Sequence, residues 1–300
     1  MIYRLLLRTK VKHHRLAGSW DQLSSTHRFR LARMSTSAPR LTNVAIETET
    51  GIAIIKYNRP KAGNALNTPT LKDILAALKW ADTTPEIRVI ITTGEGKLYT
   101  AGLDLLDPIN QGPASTISDE FTDTLSEVHK TLICSNKVLI SAVNGPAPGW
   151  GTSSLALTDL VYSTPDAFFF TPFVQWGLCA EACSSHTFKT IMGRQKASAL
   201  ILAGQRMTAQ ELESAGLITK IFPKENFLED VLKVARDMIK LPPESLRVNK
   251  ELMMRGTREE LLRVNDMELE NLRRQCRGEE SKTAIASFAE AQARKKKSKL

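Results

Sequence analysis

Residues 140–163 read I-S-A-V-N-G-P-A-P-G-W-G-T-S-S-L-A-L-T-D-L-V-Y-S, and they decide the fold. Val138–Val143 is a run of strand length without a charge, the pattern of a buried strand. It feeds a loop carrying Gly145, Gly149 and Gly151, and an apolar helix is expected from about Gly151 to Leu157. Glycines at a strand-to-helix turn let backbone N–H groups face a ligand closely. The start of a helix adds unpaired N–H groups and the positive end of its dipole. Such a place suits a developing oxyanion, although a purely structural Gly/Pro loop has the same composition. Downstream run F-F-F-T-P-F (168–173) and C-A-E-A-C-S-S-H-T-F-K-T-I-M (179–192). Glu181 is the only acid between Asp166 and Glu211, and so the candidate to move a proton beside that loop. The alternative is a helix-terminal charge.

Working outward, residues 44–47 and 51–57 read as two strands joined by a tight turn. Pro60 stops the second, since proline cannot continue a ladder. Thr68 with Pro69 is expected to cap a helix to about Ala81, with Leu71, Ile74, Leu75 and Leu78 on one face. Residues 87–92 are expected to form a strand, the Pro/Gly/Ser-rich 108–116 a mobile segment and 121–133 a second amphipathic helix. Helices are expected over 195–203 and 208–215, the latter with a Thr208/Glu211 capping box, and a short strand over 217–222. Beyond Phe227 the pattern is helical throughout: 228–240, 244–254, 257–276 and 280–293. The class is α/β. The expected divisions are a basic extension over 1–40, a core over 41–240, a helical segment over 241–294 and a basic tail over 295–300.

Charge is unevenly spread. The chain of 300 residues carries a net +9, but residues 1–40 contribute +8 and residues 294–300 contribute +5. The remaining 41–293 is therefore at −4, which argues against a nucleic-acid footprint on the fold. No apolar run approaches the roughly 20 residues that span a bilayer. The cysteines, Cys134, Cys179, Cys183 and Cys276, have neither metal-type nor secreted-framework spacing and fit a reducing compartment. Cys179 and Cys183 can face one another a helical turn apart. The first forty residues are Arg-rich and nearly free of acids, like an organelle transit peptide, and Met34 is a second plausible start. The end, Ser298-Lys299-Leu300, reads as a peroxisomal import signal taken up by a receptor.

Three blocks in this order, A-L-N (65–67), T-A-G-L-D-L (100–105) and V-N-G-P-A-P-G-W-G (143–151), resemble those of the crotonase (enoyl-CoA hydratase/isomerase) superfamily. T-P-F (171–173) with E-A-C-S-S-H-T-F (181–188) and I-M-G (191–193) is similar to the peroxisomal Δ3,Δ2-enoyl-CoA isomerase branch. The resemblance implies a crotonase-like spiral of ββα repeats with a C-terminal helical trimerisation domain, assembled as a homotrimer or homohexamer. It implies an acyl-CoA substrate, with coenzyme A part of the substrate and no separate cofactor or metal. Its oxyanion hole falls on the backbone N–H groups of Ala101 and Trp150. Tryptophan stands there for the family's usual glycine, so its ring must point away from the thioester. Coenzyme A contacts fall on Lys61, Ala62, Leu66, Ala101, Gly102, Leu103, Asp104 and Leu105. A plain turn with Asp104 capping a helix is the alternative for 101–104.

The hydratases of this family use two glutamates, at positions where this chain has Ser153 and Phe173. The isomerase branch uses one, matching Glu181, with Ala180 in place of the usual preceding proline. The implied reaction moves a 3-enoyl-CoA double bond to the 2-position by a proton shuttle on Glu181, in fatty-acid β-oxidation or a related acyl-CoA route. Phe168, Phe169, Phe170, Phe173 and Trp176 are candidates for an apolar wall around that acid, or for ordinary core. Ser153 carries no required proton-transfer role on this reading, and His186 is structural or exposed. The alternatives are an enoyl-CoA hydratase and a non-catalytic acyl-CoA-binding homologue. The expected address is the peroxisome, with a second, mitochondrial one possible from the basic N-terminus.

Overall fold

A computed structural model describes residues 37–104, 111–112 and 116–297 of the chain. Most of the basic extension, parts of the 108–116 segment, Leu105 and the Ser298-Lys299-Leu300 end lie outside the described residues.

The fold is α/β, built on a six-stranded sheet. β1 (Val44–Glu49) and β2 (Ile52–Tyr57) form an antiparallel hairpin whose turn needs Gly51 at φ +77°. After α1 (Thr68–Thr83), β3 (Val89–Gly94) lies parallel to β2. A two-residue ribbon, β4 (Gln111–Gly112) with β5 (Thr116–Ile117), precedes α2 (Asp119–Cys134). β6 (Val138–Val143) then pairs parallel to β3, and β7 (Leu160–Ser163) parallel to β6. β8 (Phe168–Phe169) pairs with β9 (Met207–Thr208) outside the main sheet. β10 (Lys220–Ile221) completes the order β1-β2-β3-β6-β7-β10.

β3 and β6 are buried at every position because both sheet faces are covered. α1 and α2 pack one face through Leu71, Ile74, Leu78, Leu125, Val128 and Leu132. α6 (Phe227–Ile239) covers the other with Phe227, Val231, Leu232 and Ala235 against Ile54, Val89, Ile91 and Ile140. Each large apolar side chain so buried contributes about 1.5–3 kcal/mol. α7 (Pro243–Met254), α8 (Thr257–Cys276) and α9 (Glu279–Lys297) follow, and α8 lies along α2 and α4 (Ser184–Ile201).

Several local expectations change. The helix after the glycine loop is one turn, α3 (Trp150–Ser153), running into a 3-10 turn at Ser154–Leu157. The following L-V-Y-S is β7, too short and too close to a helix for its period to show. Asn67, not Thr68, caps α1, its Oδ1 accepting Thr70 N–H at 3.0 Å. The helix expected from Gln195 begins at Ser184, with a break at Gly193 (φ 78°, ψ 159°). Cys179 and Cys183 are not on a helix. Their thiols donate separately to the Glu268 and Leu261 carbonyls of α8. The Thr208/Glu211 capping box on α5 (Ala209–Ser214) is formed from both sides.

Candidate active site

The glycine loop is stapled where it leaves β6. Asn144 Oδ1 accepts Gly94 N–H at 3.0 Å, and its Nδ2 donates to the Gly96 carbonyl at 3.0 Å. Gly149, at φ 59° and ψ −124°, turns the chain into α3 and leaves Trp150 as the first helical residue. Gly102 presses against this turn. A Cβ there would lie 2.8 Å from the Pro148 carbonyl oxygen and 3.4 Å from Trp150 N, so only glycine allows the approach.

Backbone bonding decides which amides of the 101–104 stretch are free. Ala101 N–H, expected from the resemblance to be an oxyanion donor, is taken by the Gly63 carbonyl at 2.8 Å. Leu66 N–H bonds the Gly102 carbonyl at 2.8 Å and Asp104 N–H bonds the Leu66 carbonyl at 2.9 Å. Because consecutive groups of extended backbone point to opposite sides, Leu103 N–H points away from that ladder. Leu103, Gly149 and Trp150 line the same cavity. The free pair beside Gly102 is therefore Leu103 N–H and Trp150 N–H.

The Trp150 ring is buried at 1 % exposure, edge-on to Tyr57 with centroids 6.1 Å apart. It points into the core, which is how a side chain is accommodated at a backbone-donor position. Its Nε1 donates to His129 Nε2 at 3.0 Å.

Glu181 precedes a turn in which Ala182 (φ 55°) and Cys183 (φ 60°) are both left-handed, costly for residues with a Cβ. The turn is held from α8. Glu268, itself buried, accepts Cys183 N–H at 2.7 Å and Ser185 N–H at 2.9 Å. Burial raises the Glu268 carboxyl above the ordinary range, against the lowering effect of those bonds, and the Glu181 charge adds to the rise. Burial likewise pushes the Cys179 and Cys276 thiols up to about 12.

The Glu181 side chain is enclosed at 2 % exposure. Ser153 Oγ, one turn into α3, donates to its Oε1. Ser153 thus touches the candidate acid directly, which its lack of a carboxylate concealed in the sequence. Glu181 Oε2 has no hydrogen-bond partner and lies 3.3 Å from His129 Nε2. That contact is not an ion pair. Asn265 Nδ2 donates to Ser126 Oγ at 3.1 Å, so its Oδ1 accepts from His129 Nδ1 at 2.9 Å. Trp150 then supplies the only proton between its indole and Nε2, leaving a neutral imidazole.

The acid and the two amides open on a cavity of about 740 Å³. Of the aromatic candidates, Phe170, Phe173 and Trp176 line it, whereas Phe169 is core and Phe168 lies under the Arg206 guanidinium, 3.3 Å from the ring centroid. α9 closes one side. Phe288 meets Trp176 edge-on at 4.4 Å, and a Cβ on Gly177 would lie 2.8 Å from Ser281 N. Asp104, also on the wall, pairs with Arg59 at 3.3 Å. Of the expected coenzyme A contacts, Leu66 and 101–104 are joined by the Leu66–Leu103 bridge, with the Leu66 side chain buried. Lys61 and Ala62 are exposed on the 3-10 turn Pro60–Ala62, off the cavity wall. His186 sits apart, 3.8 Å from Glu260. His129, Asn265, Glu268 and the Leu103 amide were not anticipated. His129, Asn265 and Glu268 stand in no motif, each made functional by a partner far along the chain, whereas Leu103 lies in the T-A-G-L-D-L block and only its amide role was missed.

Residues 47–298 match the model of the enoyl-CoA hydratase/isomerase family. Enoyl-CoA delta isomerase 2 of Rattus norvegicus is 37% identical over 246 residues, 82% of this chain but 63% of that protein. The chain therefore spans less than two thirds of that relative. The peroxisomal enoyl-CoA delta isomerase 3 of Mus musculus is 35% identical over 86% of this chain and 80% of its own length. An enoyl-CoA hydratase/isomerase structure from Pseudoalteromonas atlantica T6c superposes with a TM-score of 0.76 at 30% identity, covering 83% of this chain and 98% of that one.

Proposed function

Since the chain belongs to the enoyl-CoA hydratase/isomerase family, we propose that it isomerises a 3-enoyl-CoA to the conjugated 2-enoyl-CoA, with Glu181 as the base. One observation carries this reading. Glu181 lines the cavity and keeps one carboxylate oxygen, Oε2, unpaired, while the two positions at which the hydratases hold acids are occupied by Ser153 and Phe173. Water addition needs a second acid there. Double-bond migration needs one.

A 3-enoyl thioester has acidic C2 hydrogens because the anion spreads onto the thioester oxygen. Glu181 Oε2 takes a C2 proton, and the electron pair passes through the thioester to its oxygen. Leu103 N–H and Trp150 N–H hold that oxygen, each contributing roughly 3–4 kcal/mol in the transition state. The proton on Oε2 is then delivered to C4, which places the double bond between C2 and C3. The apolar wall of Phe170, Phe173 and Trp176 keeps water from the dienolate. Coenzyme A enters with the substrate, its nucleotide end over Lys61, Ala62 and the 101–105 stretch.

Glu181→Gln is nearly isosteric and cannot accept the proton. It should lower kcat for 3-enoyl-CoA by at least ~10²–10⁴-fold with KM little changed, followed by the absorbance of the conjugated thioester. Near-normal turnover would remove Glu181 as the base. Loss of 2-enoyl-CoA absorbance with the native protein would favour hydration instead, and tight acyl-CoA binding without either change a non-catalytic role.

The Ser298-Lys299-Leu300 ending and the printed name of the mouse relative support a peroxisomal address, reached through an import receptor. The 241–294 helices are the proposed assembly element.

A further inference from the structure

We propose that His129 is a positioning residue that receives the Glu181 Oε2 hydrogen bond while that oxygen carries the migrating proton, sheltering it from water between C2 and C4. The inference rests on the reading of Glu181 as the base.

The imidazole is fully buried, and three elements hold it. It stands on α2, its Nδ1–H is bound by Asn265 of α8, and its Nε2 faces the Trp150 indole of α3. The opposite tautomer would set Nε2–H against the indole N–H and leave Nδ1 bare before an amide oxygen already committed as an acceptor. The ring is thereby locked with Nε2 as its acceptor nitrogen, engaged by the indole N–H at 3.0 Å and lying 3.3 Å from Glu181 Oε2. Ser153 holds the other oxygen, which leaves Oε2 as the carboxylate oxygen without a hydrogen-bond partner on a residue that lines the cavity.

Consider both states of the acid. Ionised, Oε2 lies beside an acceptor nitrogen and has no donor, so no hydrogen bond quenches it as a base. Once it has taken the C2 proton, the new O–H has Nε2 within reach and competes with the indole N–H for its one lone pair. The bond at C2 breaks, the pair goes to the thioester oxygen, and the proton rests between Oε2 and Nε2 until C4 takes it. His129 ends unchanged. Without an Nε2 acceptor, the space beside Oε2 is polar and can take a water, which needs roughly 30 Å³ and two to four partners. A water there would exchange the proton.

Asparagine and glutamine separate the two ring nitrogens. His129→Asn places an amide N–H near the Nδ1 position and keeps the Asn265 bond, but withdraws the acceptor at Nε2. His129→Gln reaches the Nε2 position with its Oε1. The native protein and both variants would be run on 3-enoyl-CoA in D2O, with deuterium at C4 of the product read by mass spectrometry. The native protein should carry a measurable share of protium from C2 to C4. His129→Asn should raise deuterium at C4 severalfold and lower kcat about tenfold or more, with KM within about twofold. His129→Gln should stay within about threefold of native in kcat and near it in deuterium.

Complete exchange in the native protein, or His129→Asn matching it in rate and label, would overturn the proposal. So would equal losses in both variants at native label content, the mark of a packing role. Should the asparagine variant not fold, His129→Gln carries the test alone, and exchange well above native in it would be fatal. Glu181→Gln runs in the same series: if it still turns over, the base assignment fails, whereas an inactive Glu181→Gln beside unaffected His129 variants sinks this inference only.

Discussion

Ser153 shows how a residue's meaning changes with its neighbour. By type it is the absence of an acid, and its replacement should then cost little. In the structure its hydroxyl holds Glu181 Oε1 and so leaves Oε2 as the unpaired oxygen. A hydrogen bond to a charged group contributes about 1.5–3 kcal/mol, and a share of that should appear in the barrier. Ser153→Ala is expected to lower kcat about tenfold while leaving acyl-CoA affinity near native, measured by steady-state kinetics beside a binding titration. An unchanged kcat would mean that Glu181 needs no such anchor. Trp150 makes the same point: an unusual type at a backbone-donor position is harmless because its ring has a buried partner at 3.0 Å.

Among the elements, the left-handed turn at Ala182–Cys183 is the costly piece, and α8 offsets its cost through Glu268. Replacing Glu268 with glutamine keeps one acceptor and sets an amide N–H against a backbone N–H. Loss of the second bond should destabilise by about 1–3 kcal/mol, read from urea unfolding. It should also lower kcat, because Glu181 is two residues from the loosened turn. The pH dependence has a definite sign. Burial raises Glu268 in the folded chain, so the folded state holds this proton more tightly than the unfolded one. Its contribution is fully present below the ordinary carboxylate range and is lost as pH rises through the raised value. Glu268→Gln should therefore show a shallower fall of stability over that interval. An equal slope in both proteins would show that Glu268 does not titrate there.

For the whole molecule, assembly is the open property. Val174, Leu202, Leu241, Leu252, Met253 and Met267 are exposed apolar side chains, several of them on or beside α7 and α8. Apolar surface of this kind marks interaction sites when it is contiguous. With the family resemblance it leads us to expect a trimer or a dimer of trimers in solution. Light scattering at micromolar concentration should give three or six times the chain mass, and a monomer would contradict it.

Some of this was settled by order along the chain. Apolar runs mark β3 and β6, the Thr208/Glu211 pair marks a helix start, and Gly149 in its glycine loop marks close backbone approach, because each depends on neighbours a few residues away. Glu181 stood out as the lone acid in its stretch for the same reason. What the tertiary structure alone decided lies between distant segments. Ala101 N–H is withdrawn by Gly63 and the free amide becomes Leu103's, a matter of ladder register rather than residue type. His129 meets Glu181 across 52 positions and Asn265 across 136, and Glu268 reaches Cys183 across 85. A hydrogen bond needs two groups at 3 Å, and no local period or composition records which remote group folding brings there.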